Sequence, residues 1–168
     1  MARKAGSNGI RTAAAIRRAS LKLIHRHGFA AMSLRDLAAE VGVQPASLYN
    51  HIATKQALLF DLVRDHMEGL LASTEAALAA APPDPLSRIE AFMAHHLLFH
   101  FDRKQEVYIA NSELRALEGP NRARILALRR RYESSLFALL EAGERAGVVS
   151  TSDVKVAAFA ILAALTGV

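Results

Sequence analysis

An all-α fold is what this sequence predicts: a head of short helices followed by a bundle of longer ones. Three observations carry that prediction. The chain is 52% hydrophobic and 22% charged, rich in Ala and Leu and poor in aromatics, a composition of helix formers. Apolar residues recur at three- and four-residue spacing in one segment after another, with no strand-period run. Glycine, proline and capping residues fall at the ends of those segments. With 168 residues, there is enough chain for one full core, or for a small domain joined to a larger one.

Taken in order, Ile16, Ala19, Leu23 and Ile24 mark one face of a helix over residues 11–27, stopped by Gly28. Ser33 reads as an N-cap, with Asp36 as a shorter version of the capping-box acid. Leu37, Ala38 and Val41 give this second helix its buried side, and Gly42 ends it. Gln44-Pro45-Ala46-Ser47 opens a third helix with proline in its first turn, Leu48 and Ile52 facing inward and Ala53-Thr54 closing it. Thr54 caps a long helix that starts at Lys55, carries Leu58, Leu59, Leu62, Val63, Met67, Leu70 and Leu71, and runs out before Pro82-Pro83. Four segments follow, over residues 86–100, 105–117 and 121–146, then a last helix capped by Thr151 or Ser152. That last helix shows Val154, Ala157, Ala158, Ile161, Leu162 and Leu165. It is apolar almost all round and needs cover on several sides.

Charge is distributed unevenly. Residues 1–55 carry nine basic side chains (Arg3, Lys4, Arg11, Arg17, Arg18, Lys22, Arg26, Arg35 and Lys55) against Asp36 and Glu40, an excess of +7. The remaining residues hold 12 basic and 14 acidic side chains. A basic module on a near-neutral body is the footprint of a phosphate binder; a solvated basic face is the alternative on charge alone. The chain has no cysteine, which removes disulfides and thiolate metal sites and fits a reducing cytoplasm. The first residues lack an apolar core of signal-peptide length. The most apolar uncharged stretch, Val156 to Val168, is 13 residues, short of the roughly 20 that a membrane span needs.

The short helices at 33–41 and 44–51, joined by a glycine turn behind a basic first helix, form a helix-turn-helix, in which the second helix enters the DNA major groove. Ala46 and Ser47 are small enough to let that helix sit deep against base edges, while Tyr49 and His51 present a phenol and an imidazole at phosphate height. Lys55 opens the next helix, where its ammonium and the helix N-terminus both favour an anion. No nucleophile-elbow glycine pattern or phosphate loop frames the serines, histidines and acids, so no catalysis and no cofactor are expected. His96 and His100 share a helical face at a spacing that zinc or nickel can use, with a third ligand to be sought at Asp102 or His66. A pair facing a ligand cavity or solvent is the commoner arrangement, and no metal is expected.

The run Met32-Ser33-Leu34-Arg35-Asp36-Leu37-Ala38-Ala39-Glu40-Val41-Gly42-Val43, followed by Ser47-Leu48-Tyr49-Asn50-His51-Ile52 and Thr54-Lys55-Gln56-Ala57-Leu58-Leu59, resembles the DNA-binding domain of the TetR family over about residues 11–62, and His27-Gly28-Phe29 fits it too. The resemblance implies that Ser33 and Arg35 touch phosphate or base edges. It implies that Gln44, Pro45, Ala46 and Ser47 form the base-reading end and that Tyr49, His51 and Lys55 hold phosphates. Asn50 stands where the family varies, placed to read an adenine if it faces the groove. Farther on, Asn111-Ser112-Glu113-Leu114-Arg115 and Arg129-Arg130-Arg131-Tyr132-Glu133 look similar to members that respond to acyl-CoA thioesters.

The resulting expectation is a helix-turn-helix domain at 1–54 and a ligand-binding and dimerisation bundle at 55–168, the second lacking the family's last helix. The chain would be a cytoplasmic homodimeric repressor, not an enzyme, and not a membrane protein. It would bind a palindromic double-stranded DNA operator and be released by a small hydrophobic or acyl-CoA-like effector. Phe92, Met93, His96, Leu97, Tyr108, Ser112, Arg130, Phe137 and Phe159 are the candidate effector contacts; the alternative is that the aromatics are core and the arginines a solvated face. Rival functions are a non-CoA hydrophobic inducer, DNA binding without sequence preference, or a ligand carrier with a vestigial DNA domain.

Overall fold

The computed structural model describes residues 5–167, with side chains from residue 9 onward. Arg3 and Lys4 of the basic count lie outside the described residues. Among those described the fold is all-α, with no strand: α1 (Ala5–His27), α2 (Leu34–Val41), α3 (Pro45–Leu48), α4 (Lys55–Ala80), α5 (Pro85–Asp102), α6 (Lys104–Ser112), a 3-10 turn (Leu114–Ala116), α7 (Gly119–Arg145) and α8 (Val154–Thr166). No described helix is long and apolar enough to cross a membrane.

The chain forms two compact units, and α4 contributes residues to both. The first comprises Met1–Asp65 with Gln105–Arg122, the second His66–Lys104 with Ala123–Val168. In the first unit, Ile16 and Ile24 of α1, Leu37 and Ala38 of α2, Leu48 of α3, Leu59 and Val63 of α4 and Ile109 of α6 are all buried. In the second, Met67, Leu70, Leu71, Ile89, Phe92, Tyr132, Leu136 and Leu140 make one core, with Ala158 of α8 closing it. The longer helices therefore bury the stripe that a 3.6-residue period defines, but α8, expected to be covered on several sides, has only Ala158 buried.

Several boundaries differ from the sequence expectation for identifiable reasons. α1 is already helical at Ala5, the first described residue, because nothing in 5–10 stops a helix once Gly9 is tolerated. α3 has helical hydrogen bonding only over Pro45–Leu48, and residues 49–51 continue as turns through Asn50 N–H to Ser47 O and His51 N–H to Leu48 O. The segment expected as one helix at 105–117 breaks after Ser112 into the 3-10 turn. Gly119-Pro120, expected to separate helices, instead begins α7, with proline where its missing N–H costs nothing. α8 is capped by Asp153, whose carboxylate accepts the Lys155 and Val156 N–H groups at 2.8 and 3.0 Å. Thr151 spends its hydroxyl and N–H on Glu144 instead.

Other local features agree with the sequence. Ser33 and Asp36 make a complete capping box at the start of α2. Gly42 ends that helix at φ 76°, and its N–H reaches the Ala38 and Ala39 carbonyls. A side chain in this left-handed conformation costs about 1–2 kcal/mol. Gly42→Ala is expected to lower stability by that amount in urea unfolding, although nothing lies within 4 Å of an added Cβ. An unchanged midpoint would show that the turn relaxes freely.

Candidate nucleic-acid interface

Leu48 and Ile52 are the nails that hold the α3 segment to the first unit, at 1% and 5% exposure. With those two inward, Gln44, Pro45, Ala46, Ser47, Asn50 and His51 are all exposed, and Tyr49 is 61% exposed. Gln44 is the N-cap of α3 but its amide makes no capping bond. An exposed amide at a helix N-terminus, beside two small residues, is the composition of a base-reading edge.

Hydroxyl and cationic side chains surround that edge in the sequence. Arg35 is exposed on α2. Ser33 is half-buried, and its hydroxyl both accepts the Asp36 N–H at 3.0 Å and donates to Asp36 Oδ2 at 2.6 Å. The Ser33 hydroxyl and then its backbone N–H, both donating to Asp36 Oδ2, hold that carboxyl below the usual carboxylate range. A phosphate reaching Ser33 has to compete with Asp36 for its one proton. Lys55 is half-buried: its Nζ donates to Ala30 O at 3.0 Å and stands 4.5 Å over the Phe29 ring. Two further ammonium donors remain for an anion.

The local positive charge is smaller than the count over residues 1–55 implies. Arg17 is shared between Asp65 at 2.9 Å and Glu106 at 3.1 Å, and Lys22 pairs with Glu40 at 2.6 Å. Lys22 in turn keeps the Glu40 carboxyl below its ordinary range. Asp65 and Glu106 come from the acidic remainder of the chain, so no tally by sequence position finds them. Arg11, Arg18, Arg26 and Arg35 stay exposed.

The nine candidate effector contacts do not fall in one unit. Tyr108 and Ser112 belong to the first, where Tyr108 is half-exposed with its ring edge-on to His25 at 4.8 Å, and Ser112 Oγ donates to Tyr108 O. In the second unit, Phe92 is fully buried and stacks on Tyr132 at 5.1 Å. His96, 2% exposed, shares a 2.8 Å hydrogen bond with the Tyr132 hydroxyl and a 3.3 Å contact with Thr166 Oγ1. Met93 packs on this core, while Leu97 is 38% exposed. Phe137 meets Phe159 edge-on at 5.5 Å, and Phe159 is half-exposed. Arg130 is exposed, and its neighbour Arg131 pairs with Glu75 at 2.6 Å.

Sequence reasoning paired His96 with His100 and offered His66 beside them, but left out the Tyr132 and Thr166 partners of His96. His100 lies with its ring 3.9 Å from that of His96, and the His66 ring 5.9 Å from His100. Burial pushes the imidazole of His96 down to about 4 and that of His100 to about 3, helped in each case by neighbouring histidine charge. The same burial raises the Tyr132 phenol. The signal was present at Tyr132, which keeps helical register with Leu136 and Leu139. Among the described residues no group of three or more His, Cys, Asp or Glu side chains is arranged to hold a metal.

An outward-facing recognition segment, fixed by two buried residues behind a capped helix and a left-handed glycine, defines a helix-turn-helix regulator. Comparison with known proteins agrees. Residues 16–62 match the family described as bacterial regulatory proteins, tetR family, and residues 82–168 match the tetracyclin repressor-like C-terminal domain. The chain belongs to the TetR family of transcriptional regulators, whose members are not enzymes. It is 34% identical over 73 residues to the HTH-type transcriptional regulator BetI of Agrobacterium fabrum, a match over 42% of this chain and 35% of that protein. The chain thus spans about a third of the length of that curated relative. The TetR-family regulator PfmR of Thermus thermophilus superposes with a TM-score of 0.84 at 31% identity, over 90% of this chain and 82% of that one. AibR, solved with isovaleryl coenzyme A and operator DNA, superposes with a TM-score of 0.83 at 27% identity, over 92% and 84%.

Proposed function

We propose that the chain is a cytoplasmic homodimeric repressor that binds a palindromic operator and leaves it when a small hydrophobic or acyl-CoA-like molecule binds. The division of labour is a DNA-binding part at 1–54 and an effector-binding and dimerising part at 55–168. Ser33, Arg35, Gln44, Pro45, Ala46, Ser47, Tyr49, Asn50, His51 and Lys55 meet the DNA: Gln44 to Ser47 read bases, Asn50 an adenine where it faces the groove, and Tyr49, His51 and Lys55 hold phosphates. The carrying observation is the exposed α3 edge nailed down by Leu48 and Ile52.

The effector reading draws on AibR, whose complex holds both isovaleryl coenzyme A and operator DNA. Phe92, Met93, His96, Leu97, Phe137 and Phe159 give the acyl group apolar and hydrogen-bonding surroundings, and Arg130 meets the CoA phosphates; Tyr108 and Ser112 belong to the other unit. Lys55, at the first position of α4, is held in the same uninterrupted helix that runs to Ala80. An effector that binds better to one orientation of α4 than another shifts the population of DNA-competent molecules. The dimer reading draws on α8, where Val156 and Phe159 are 64% and 51% exposed, an apolar surface that a second copy covers.

Selection of duplex DNA by the protein, followed by gel shift at several salt concentrations, tests this reading. The expected result is a palindrome bound far more tightly than random duplex. Lys55→Ala should weaken binding to every sequence and flatten the salt slope by about one unit, whereas Gln44 or Ser47 variants should change base preference. Equal affinity for selected and random DNA would overturn it in favour of sequence-independent binding. Acyl-CoAs and CoA-free acyl compounds, added to the preformed complex, separate the two effector classes.

A further inference from the structure

The first unit takes in a segment far away in sequence, Gln105–Arg122, and four of its residues grip the helix-turn-helix elements and the start of α4. Glu106 accepts from Arg17 of α1 at 3.1 Å. The Gln56 amide donates to Ala116 O at 2.8 Å and accepts the Glu118 N–H at 3.3 Å. Glu113, between α6 and the 3-10 turn, accepts the backbone N–H of Phe29 on its Oε1 at 3.1 Å.

The last of these contacts holds the backbone of the turn between α1 and α2. Gly28 there is left-handed at φ 78°, with Glu113 Oε1 3.7 Å from where a Cβ would stand. Past that residue the Phe29 N–H needs an acceptor from outside the helix, and a carboxylate supplies a charge-assisted bond. From the other direction Lys55 donates to Ala30 O and covers the Phe29 ring. One short turn is thus clamped between a carboxylate and the ammonium that is read as a phosphate contact.

We propose that Glu113 is a positioning residue for operator binding: by fixing the Phe29–Ala30 backbone it seats Lys55 for its phosphate. The inference rests on the DNA-contact reading of Lys55 given above. It is specific about chemistry, because only an acceptor at the reach of Glu113 Oε1 serves. Gln keeps that acceptor; Asp retracts it by one methylene and Ala removes it.

The test measures full-length variants on the duplex selected by the wild-type protein. Glu113→Gln should bind within about twofold of wild type, and Glu113→Ala and Glu113→Asp about tenfold more weakly, the loss of one hydrogen bond. The salt slope of the Ala variant should fall by about one unit, as for Lys55→Ala. Combined with Lys55→Ala, it should add almost nothing, since both remove one contact. If Glu113→Ala does not fold, the Gln and Asp variants carry the same comparison. A Glu113 loss that is additive with that of Lys55, or that leaves the slope unchanged, overturns the positioning role while the DNA reading stands. A Lys55→Ala variant with wild-type affinity and slope overturns both.

Discussion

Phe92→Ala is expected to destabilise the protein by about 3–5 kcal/mol, the range for emptying an aromatic site in a rigid core. Phe92 has no exposed surface, stacks on Tyr132 and belongs to the core that holds Leu71, Ile89, Leu136 and Leu140. The loss has two parts. The ring's transfer free energy is forfeited, and the surrounding helices cannot collapse into the gap without moving Tyr132, whose hydroxyl is bonded to His96. Thermal unfolding should drop by roughly 10 °C or more. Phe159→Ala, on a half-exposed ring with one aromatic neighbour, should cost no more than about 1.5 kcal/mol. The contrast also separates two roles for Phe92. A residue that lines an open effector cavity changes effector response with little loss of stability, so a near-wild-type melting temperature for Phe92→Ala would place it in the cavity wall.

What the sequence made legible follows from the range of the forces involved. The capping box at Ser33 and Asp36, the stop at Gly42 and the inward pair Leu48 and Ile52 all work within four residues, and all were readable. The recognition segment proved shorter as helix than its apolar spacing implied, because turns at 49–51 keep the same residues inward with looser hydrogen bonding. The Lys22–Glu40, Arg17–Glu106 and Glu113–Phe29 contacts span 18, 89 and 84 residues. No periodicity encodes them. The first two decide which basic groups stay available to DNA. Likewise, His96 and His100 were visible as an i, i+4 pair, but the partners of His96, Tyr132 and Thr166, come from α7 and α8.

That histidine cluster makes the fold acid-sensitive in a defined window. In an unfolded chain an imidazole takes up a proton near pH 6.5. In the folded protein burial holds His96 neutral down to about 4 and His100 to about 3. Both folded values lie below the unfolded one, so the unfolded state binds more protons in between, and stability falls as pH drops below about 6.5. The groups around the pair offer a second charge no relief: His66 on α4, His95 on the same helix, and the neutral hydroxyls of Tyr132 and Thr166. His100 Nδ1 is already buried without a hydrogen-bond partner. Each histidine therefore costs at most about 2 kcal/mol between pH 6.5 and 5. Asp36 and Glu40, whose carboxyls are held low, keep their charge there and contribute little to the slope. Urea midpoints at pH values of about 7.5, 6.5, 5.5 and 5 should decline through this range for the wild type. They should decline much less for a His96→Gln, His100→Gln double variant, in which only His95, also held low by burial, keeps a share. A parallel decline in both proteins would mean that the proton uptake lies elsewhere and that this core tolerates charged imidazoles.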